Sequence, residues 1–165
     1  MTPSTRRFAR IGEAEGYSFV ELLIVTAILF ILASAVVPLA QVTQQRQRES
    51  ELRTALRQVR TAIDKFKDAV DAGRIAPSEV SPGSENYPPD LETLVDGVPL
   101  QNDQTGAKLK FLRRIPIDPM TNGTEWGLRA YQDKPDAQTW GRGNVFDVYS
   151  KSSGTALDGT KYKDW

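Results

Sequence analysis

One run of residues constrains this chain more than any other. Positions 19–37 read FVELLIVTAILFILASAVV, apolar apart from Glu21, Thr26 and Ser34. At 1.5 Å rise per residue, the roughly 20 residues from Tyr17 onward cover about 30 Å as a helix, enough to cross the hydrocarbon of a bilayer. The run is therefore expected to be a membrane helix. The residues before it, 1–16, are polar and carry Arg6, Arg7 and Arg10 against Glu13 and Glu15. Arginines hold their side of a helix in the cytoplasm, which sends everything after Pro38 to the outer face of the inner membrane.

Two ordinary explanations compete for this segment. A secretory signal needs a small-x-small cleavage site after its apolar core, and Ala33 and Ala35 around Ser34 satisfy that pattern. Yet the apolar run passes without a break into more helix-forming sequence, and the polar leader ends in Gly16 before the run begins. A plain single-pass anchor would make Glu21 an accident near the interface, where a carboxylate costs less than at the bilayer centre. That explanation leaves the pairing of Gly16 with Glu21 without a cause.

Composition narrows the functions open to the remainder. The 165 residues hold 21 Lys plus Arg and 21 Asp plus Glu, so no net field recruits nucleic acid. Cysteine and histidine are absent, which removes disulfides, thiol nucleophiles, His-dependent triads and the commonest transition-metal ligands. Carboxylates and carbonyls remain, donors that suit a hard cation such as calcium. A carboxylate enzyme built on a pair such as Asp118 and Asp147 would need a spacing that singles out an acid and a base, and none does. No enzyme is expected.

The octapeptide GYSFVELL, Gly16 to Leu23, resembles the class III signal of type IV pilins and secretion pseudopilins. In that family a membrane-embedded prepilin peptidase cuts after the glycine and methylates the new N-terminus. The resemblance thus implies cleavage between Gly16 and Tyr17 and N-methylation of Tyr17, which stands where phenylalanine is usual. Glu21 becomes the fifth residue after the cut. A carboxylate in lipid is costly unless protonated or paired. The family's partner is the N-terminal amine of a neighbouring subunit, here Tyr17 of the adjacent copy. Such a charge, neutralised only between subunits, favours register and assembly over dispersal. Pro38 removes a helical hydrogen bond and is expected to bend or open the helix, or to mark the membrane exit.

Beyond the membrane run, Leu52, Ala55, Leu56, Val59, Ala62, Ile63, Phe66, Ala69 and Val70 form a stripe with a period near 3.6, and Gly73 is a stop signal. Arg53, Arg57, Arg60, Lys67 and Asp71 fall on the other face. One helix over about 17–72 is expected, its stripe packing on the chain's own head in preference to a coiled-coil partner. Residues 74–89 are broken by prolines, Asp90 caps a short helix over 90–95, and the prolines of FLRRIPIDP fix an extended crossing. Candidate strands lie at 126–132 and 145–150. The expected organisation is a leader at 1–16, a membrane and filament-core half of the helix at 17–40, an amphipathic half at 41–73 and a periplasmic head at 74–165. This is an α+β fold, the type IV pilin fold in the family it resembles, with a long N-terminal helix packed on a small antiparallel sheet.

The order YPPDLETLV, RRIPIDPMTNGTEW, NVFDVYS and a final Trp165 is similar, piece by piece, to the major pseudopilin of the type II secretion system. The lack of cysteine favours that branch, because type IVa pilins usually close their C-terminal region with a disulfide. The resemblance implies a structural subunit of a periplasmic pseudopilus, anchored in the inner membrane by one span. Its partners would be further copies of itself, minor pseudopilins, the peptidase and an inner-membrane assembly platform. A surface pilus for adhesion, motility or DNA uptake is the alternative, and a neighbouring gene for an outer-membrane secretin would discriminate. Major pseudopilins commonly bind calcium in a C-terminal loop, so the resemblance implies Asp158 and Asp164 as side-chain ligands, with Ser150 and Leu157 as carbonyl donors. Here the loop's glycine-rich centre is short and carries Lys161 and Lys163, which disfavour a cation and are available to pair with the aspartates. Asp158-Gly159 is equally a turn dipeptide, and Asp164 a solvated charge.

Overall fold

A computed structural model of the chain describes residues 16–101 and 105–165, and of 35–39 no side chains. The leader expected at 1–16 falls, apart from Gly16, outside the described residues. The chain divides into two units, Met1–Gln41 and Val42–Trp165. Its principal element is the helix α1, Phe19–Asp71, close to the span expected from the sequence. Those bounds enclose Pro38, whose side chain lies outside the described residues.

Within the second unit the stripe of α1 is the core. Leu52, Val59, Ile63, Phe66 and Ala69 are fully buried, and the ring of Phe66 meets that of Phe111 edge-on at 5.4 Å between centroids. α1 ends at Gly73 in a Schellman cap. Gly73 takes φ 66°, its N–H donates to Val70 O at 2.9 Å, and Arg74 N–H donates to Ala69 O at 2.9 Å. Glycine reaches that left-handed backbone without a Cβ clash, and the cap satisfies carbonyls the helix would leave open.

After a 3-10 turn at Pro77–Glu79 comes the short helix α2, Glu92–Asp96. Asp90 caps it as expected: its Oδ1 accepts from Thr93 N at 2.7 Å and Thr93 Oγ1 at 2.6 Å. Two antiparallel ribbons follow, where one sheet was expected. The strands β1, Val98–Pro99, and β2, Lys108–Leu109, pair with each other. The strands β3, Gly127–Arg129, and β4, Asp147–Tyr149, pair in the register Gly127↔Tyr149, Leu128↔Val148, Arg129↔Asp147. The coarse class, helix with small antiparallel sheets, is as read from the sequence.

β3 stops short of 132 and β4 starts after 145 because side chains capture the backbone at that end of the ribbon. Asp133 Oδ2 accepts from Ala130 N at 2.7 Å and from Gly141 N at 3.0 Å, turning the chain away after Arg129. Those two backbone bonds also hold the Asp133 carboxyl below its ordinary range. Asn144 Oδ1 takes Tyr131 N in place of a ladder carbonyl. At the paired position, the Tyr149 ring lies so close over Gly127 that a Cβ there would strike it.

Candidate functional site

The first candidate site is the start of α1. From Phe19 to Leu32 the large apolar side chains stand open on every side of the helix, from 48% exposure at Val25 to 77% at Phe30. The hydroxyls of this stretch turn back on the backbone. Thr26 Oγ1 donates to Leu22 O at 2.9 Å, and Ser34 Oγ to Ile31 O at 2.7 Å, the back-bonding usual for hydroxyls inside a helix. Glu21 differs: it is exposed in the first turn of α1, and its carboxylate has no hydrogen-bond or ion-pair partner among the described residues. Tyr17 is 79% exposed, and an added Cβ at Gly16 would meet nothing within 4 Å. Among the described residues no helix is long and apolar enough to cross a membrane. The apolar run of the sequence continues to position 37, into the residues whose side chains are not described.

The second candidate site is the C-terminal loop. Here three residues of α1, one turn apart, reach the chain's last eleven residues. Gln45 Nε2 donates to Thr155 O at 3.2 Å and to Tyr162 Oη at 3.0 Å. Glu49 Oε1 accepts from Leu157 N at 2.9 Å and from Tyr162 Oη at 3.0 Å. The Arg53 guanidinium lies 3.9 Å over the Trp165 ring, with its Nη2 3.6 Å from Asp158 Oδ2. Asp158 Oδ1 in turn accepts from Thr160 N at 2.9 Å and Oγ1 at 2.6 Å, and Trp165 Nε1 donates to that same hydroxyl at 2.6 Å. The Thr160 bonds, with Arg53 adding a smaller effect, hold the Asp158 carboxyl below its ordinary range.

The expected calcium ligands occupy different surroundings. Ser150 is fully buried, its hydroxyl donating to Asp118 Oδ2 at 2.6 Å. Leu157 is pinned by its N–H to Glu49. Asp164 sits exposed in a 3-10 turn, Tyr162–Asp164, without a carboxylate partner among the described residues. Asp158 holds Thr160 with one oxygen and faces a guanidinium with the other. Among the described residues no three His, Cys, Asp or Glu gather as a metal group. On its Oδ2 side, Asp158 has the Arg53 guanidinium at 3.6 Å. Nor does Lys161 pair with an aspartate: its Nζ donates to Thr155 Oγ1 at 2.7 Å.

Asp118 and Asp147, the carboxylates weighed for catalysis, are both occupied by structural bonds. Asp118 is completely buried and accepts from Met120 N as well as from Ser150. Asp147 lies between two guanidiniums: Arg60 Nε donates at 2.7 Å, and Arg129 Nη1 stands at 3.4 Å. Arg60 also donates to Val148 O and Trp165 O, and Arg129 to Lys163 O. Arg53 and Arg60, placed by the sequence on the face opposite the stripe, anchor residues 158–165 from there. The signal that could have found the first row is the i, i+4, i+8 spacing of Gln45, Glu49 and Arg53.

No family model, no curated protein and no solved structure matches the chain.

Proposed function

We propose that this chain is a type IV pilin-like precursor with the pilin fold, a structural subunit of a periplasmic pseudopilus for type II secretion. What carries the reading is the start of α1, apolar all round and open, with a carboxylate, Glu21, that has no partner among the described residues and lies four residues after Tyr17 in the sequence GYSFVELL. A helix that is apolar on every side is built to be covered, by lipid or by copies of itself. In this proposal the span 17–40 lies in the inner membrane until a prepilin peptidase cuts after Gly16 and methylates Tyr17. The new amine of one copy then meets Glu21 of the next. Leaving lipid for the filament exchanges an uncompensated carboxylate for a paired one, which drives assembly and fixes register.

The experiment is intact mass and N-terminal sequencing of the protein recovered from membranes, with and without a prepilin peptidase. A methylated Tyr17 start that disappears without the peptidase supports the reading, and an uncut chain or a cut after Ala35 refutes it. Glu21→Ala is then expected to be processed normally while yielding at least tenfold fewer filaments by electron microscopy, the loss of one buried charge pairing. Filaments in normal number would rule out the charge-pair mechanism.

A further inference from the structure

We propose that the guanidinium of Arg53 serves the C-terminal loop as a built-in cation, so that residues 155–165 close on α1 without a bound metal. The loop sets the Asp158 carboxylate beside α1, where a positive centre can meet it. Asp158 Oδ1 accepts from Thr160 N, Glu49 accepts from Leu157 N, and the backbone turns on Gly159 at φ 87°. Arg53 supplies that centre from the helix and adds a contact that a metal ion would not. Its charge faces Asp158 at 3.6 Å, and its flat face covers the Trp165 ring at 3.9 Å. Planarity is what lets one group meet a carboxylate and an aromatic face together.

The remaining bonds form a closed circuit around this contact. Trp165 Nε1 donates to Thr160 Oγ1, and that hydroxyl donates to Asp158. The Trp165 ring rests edge-on against Tyr162 at 5.3 Å, and Tyr162 Oη donates to Glu49, one turn before Arg53. The Asp158 carboxylate, the group nearest Arg53, is thereby engaged on both oxygens by the protein. The isolated bridge Thr155↔Lys161 closes the loop's neck, with the Lys161 ammonium turned to Thr155 and away from Asp158. The inference concerns the loop alone and stands whether or not the chain assembles into filaments.

Lys161 makes the loop readable by a protease. The test uses the full chain in detergent micelles, digested with a lysine-specific endoprotease in 2 mM calcium chloride or in 5 mM EDTA. Cleavage after Lys161 is followed by mass spectrometry, with cleavage after exposed Lys134 as internal standard. For the unaltered chain the Lys161 rate is expected to be the same in calcium and in EDTA. Arg53→Ala is expected to raise it roughly tenfold in both, and Arg53→Lys, which keeps the charge but not the plane, by about threefold. A rate for the unaltered chain that rises in EDTA would overturn the proposal in favour of a metal-held loop. An Arg53→Ala rate equal to that of the unaltered chain would overturn it as well.

Discussion

The two ends of α1 both carry apolar side chains and put them to opposite uses. Between Phe19 and Leu32 the apolar residues surround the helix and stay open; between Leu52 and Ala69 they occupy one stripe and vanish beneath the head. The second end carries its own partner, some of it more than a hundred residues later in the chain. The first is exposed among the described residues. Hydrophobic burial is non-directional, so the periodicity of the polar residues decides which outcome a helix gets. Where Arg, Gln and Asp recur at helical spacing, one side is committed to water and the other to a core. Where they are missing, no side is preferred and the surroundings must be uniformly apolar.

Truncating one phenylalanine in each end tests this contrast most severely. Phe66→Ala removes a fully buried ring packed on Phe111, and should cost about 3–5 kcal/mol of unfolding free energy. Phe30→Ala, at a position 77% exposed, should leave the same quantity within about 0.5 kcal/mol. Denaturant titration of the full chain in micelles, read by tryptophan fluorescence, would measure both. Equal losses would mean the first end is also folded against the head.

A smaller effect is expected at the polar attachment of the buried end. Asp147→Ala strips the shared carboxylate from Arg60 and from Arg129, the latter side chain 8% exposed. Leaving a buried guanidinium without its counter-ion should cost about 3 kcal/mol in the same titration. The smallest effect should come from acid. The native Asp158 carboxyl is held below its ordinary value, so its contribution is complete above the ordinary carboxylate range and is lost as pH falls through the lowered native value. The amide resonance of Thr160, which donates to Asp158, should move in that acid window and stay constant from pH 5 upward. A shift near neutrality would assign the change to another group.

The parts of the fold legible in the sequence are those with local causes. The stripe from Leu52 to Val70 has a period, Gly73 has a backbone that only a cap explains, and Asp90 stands ahead of a short apolar run. β1 and β2 were not legible. Two-residue strands, one of them containing Pro99, show neither alternation nor length. The paired strands β3 and β4 were expected too long, because alternation over 126–132 cannot reveal that Asp133 will take the Ala130 amide. The clasp of Gln45, Glu49 and Arg53 was hidden for a different reason: charged residues one helical turn apart look the same whether they face water or another segment. Asp158 was legible as a turn residue with Gly159, whereas its counter-ion lies on another element.

The Glu49 to Leu157 bond spans 108 residues of chain. A ribosome adding roughly 5–20 residues per second needs on the order of 5–20 seconds between making the two partners. Throughout that interval the helix side of the clasp exists without Leu157 and Tyr162, although core partners of the stripe such as Leu94, Leu112 and Val145 are already made. The polar clasp is thus the late seal on a core whose apolar members, from Leu52 to Val148, are in hand before it.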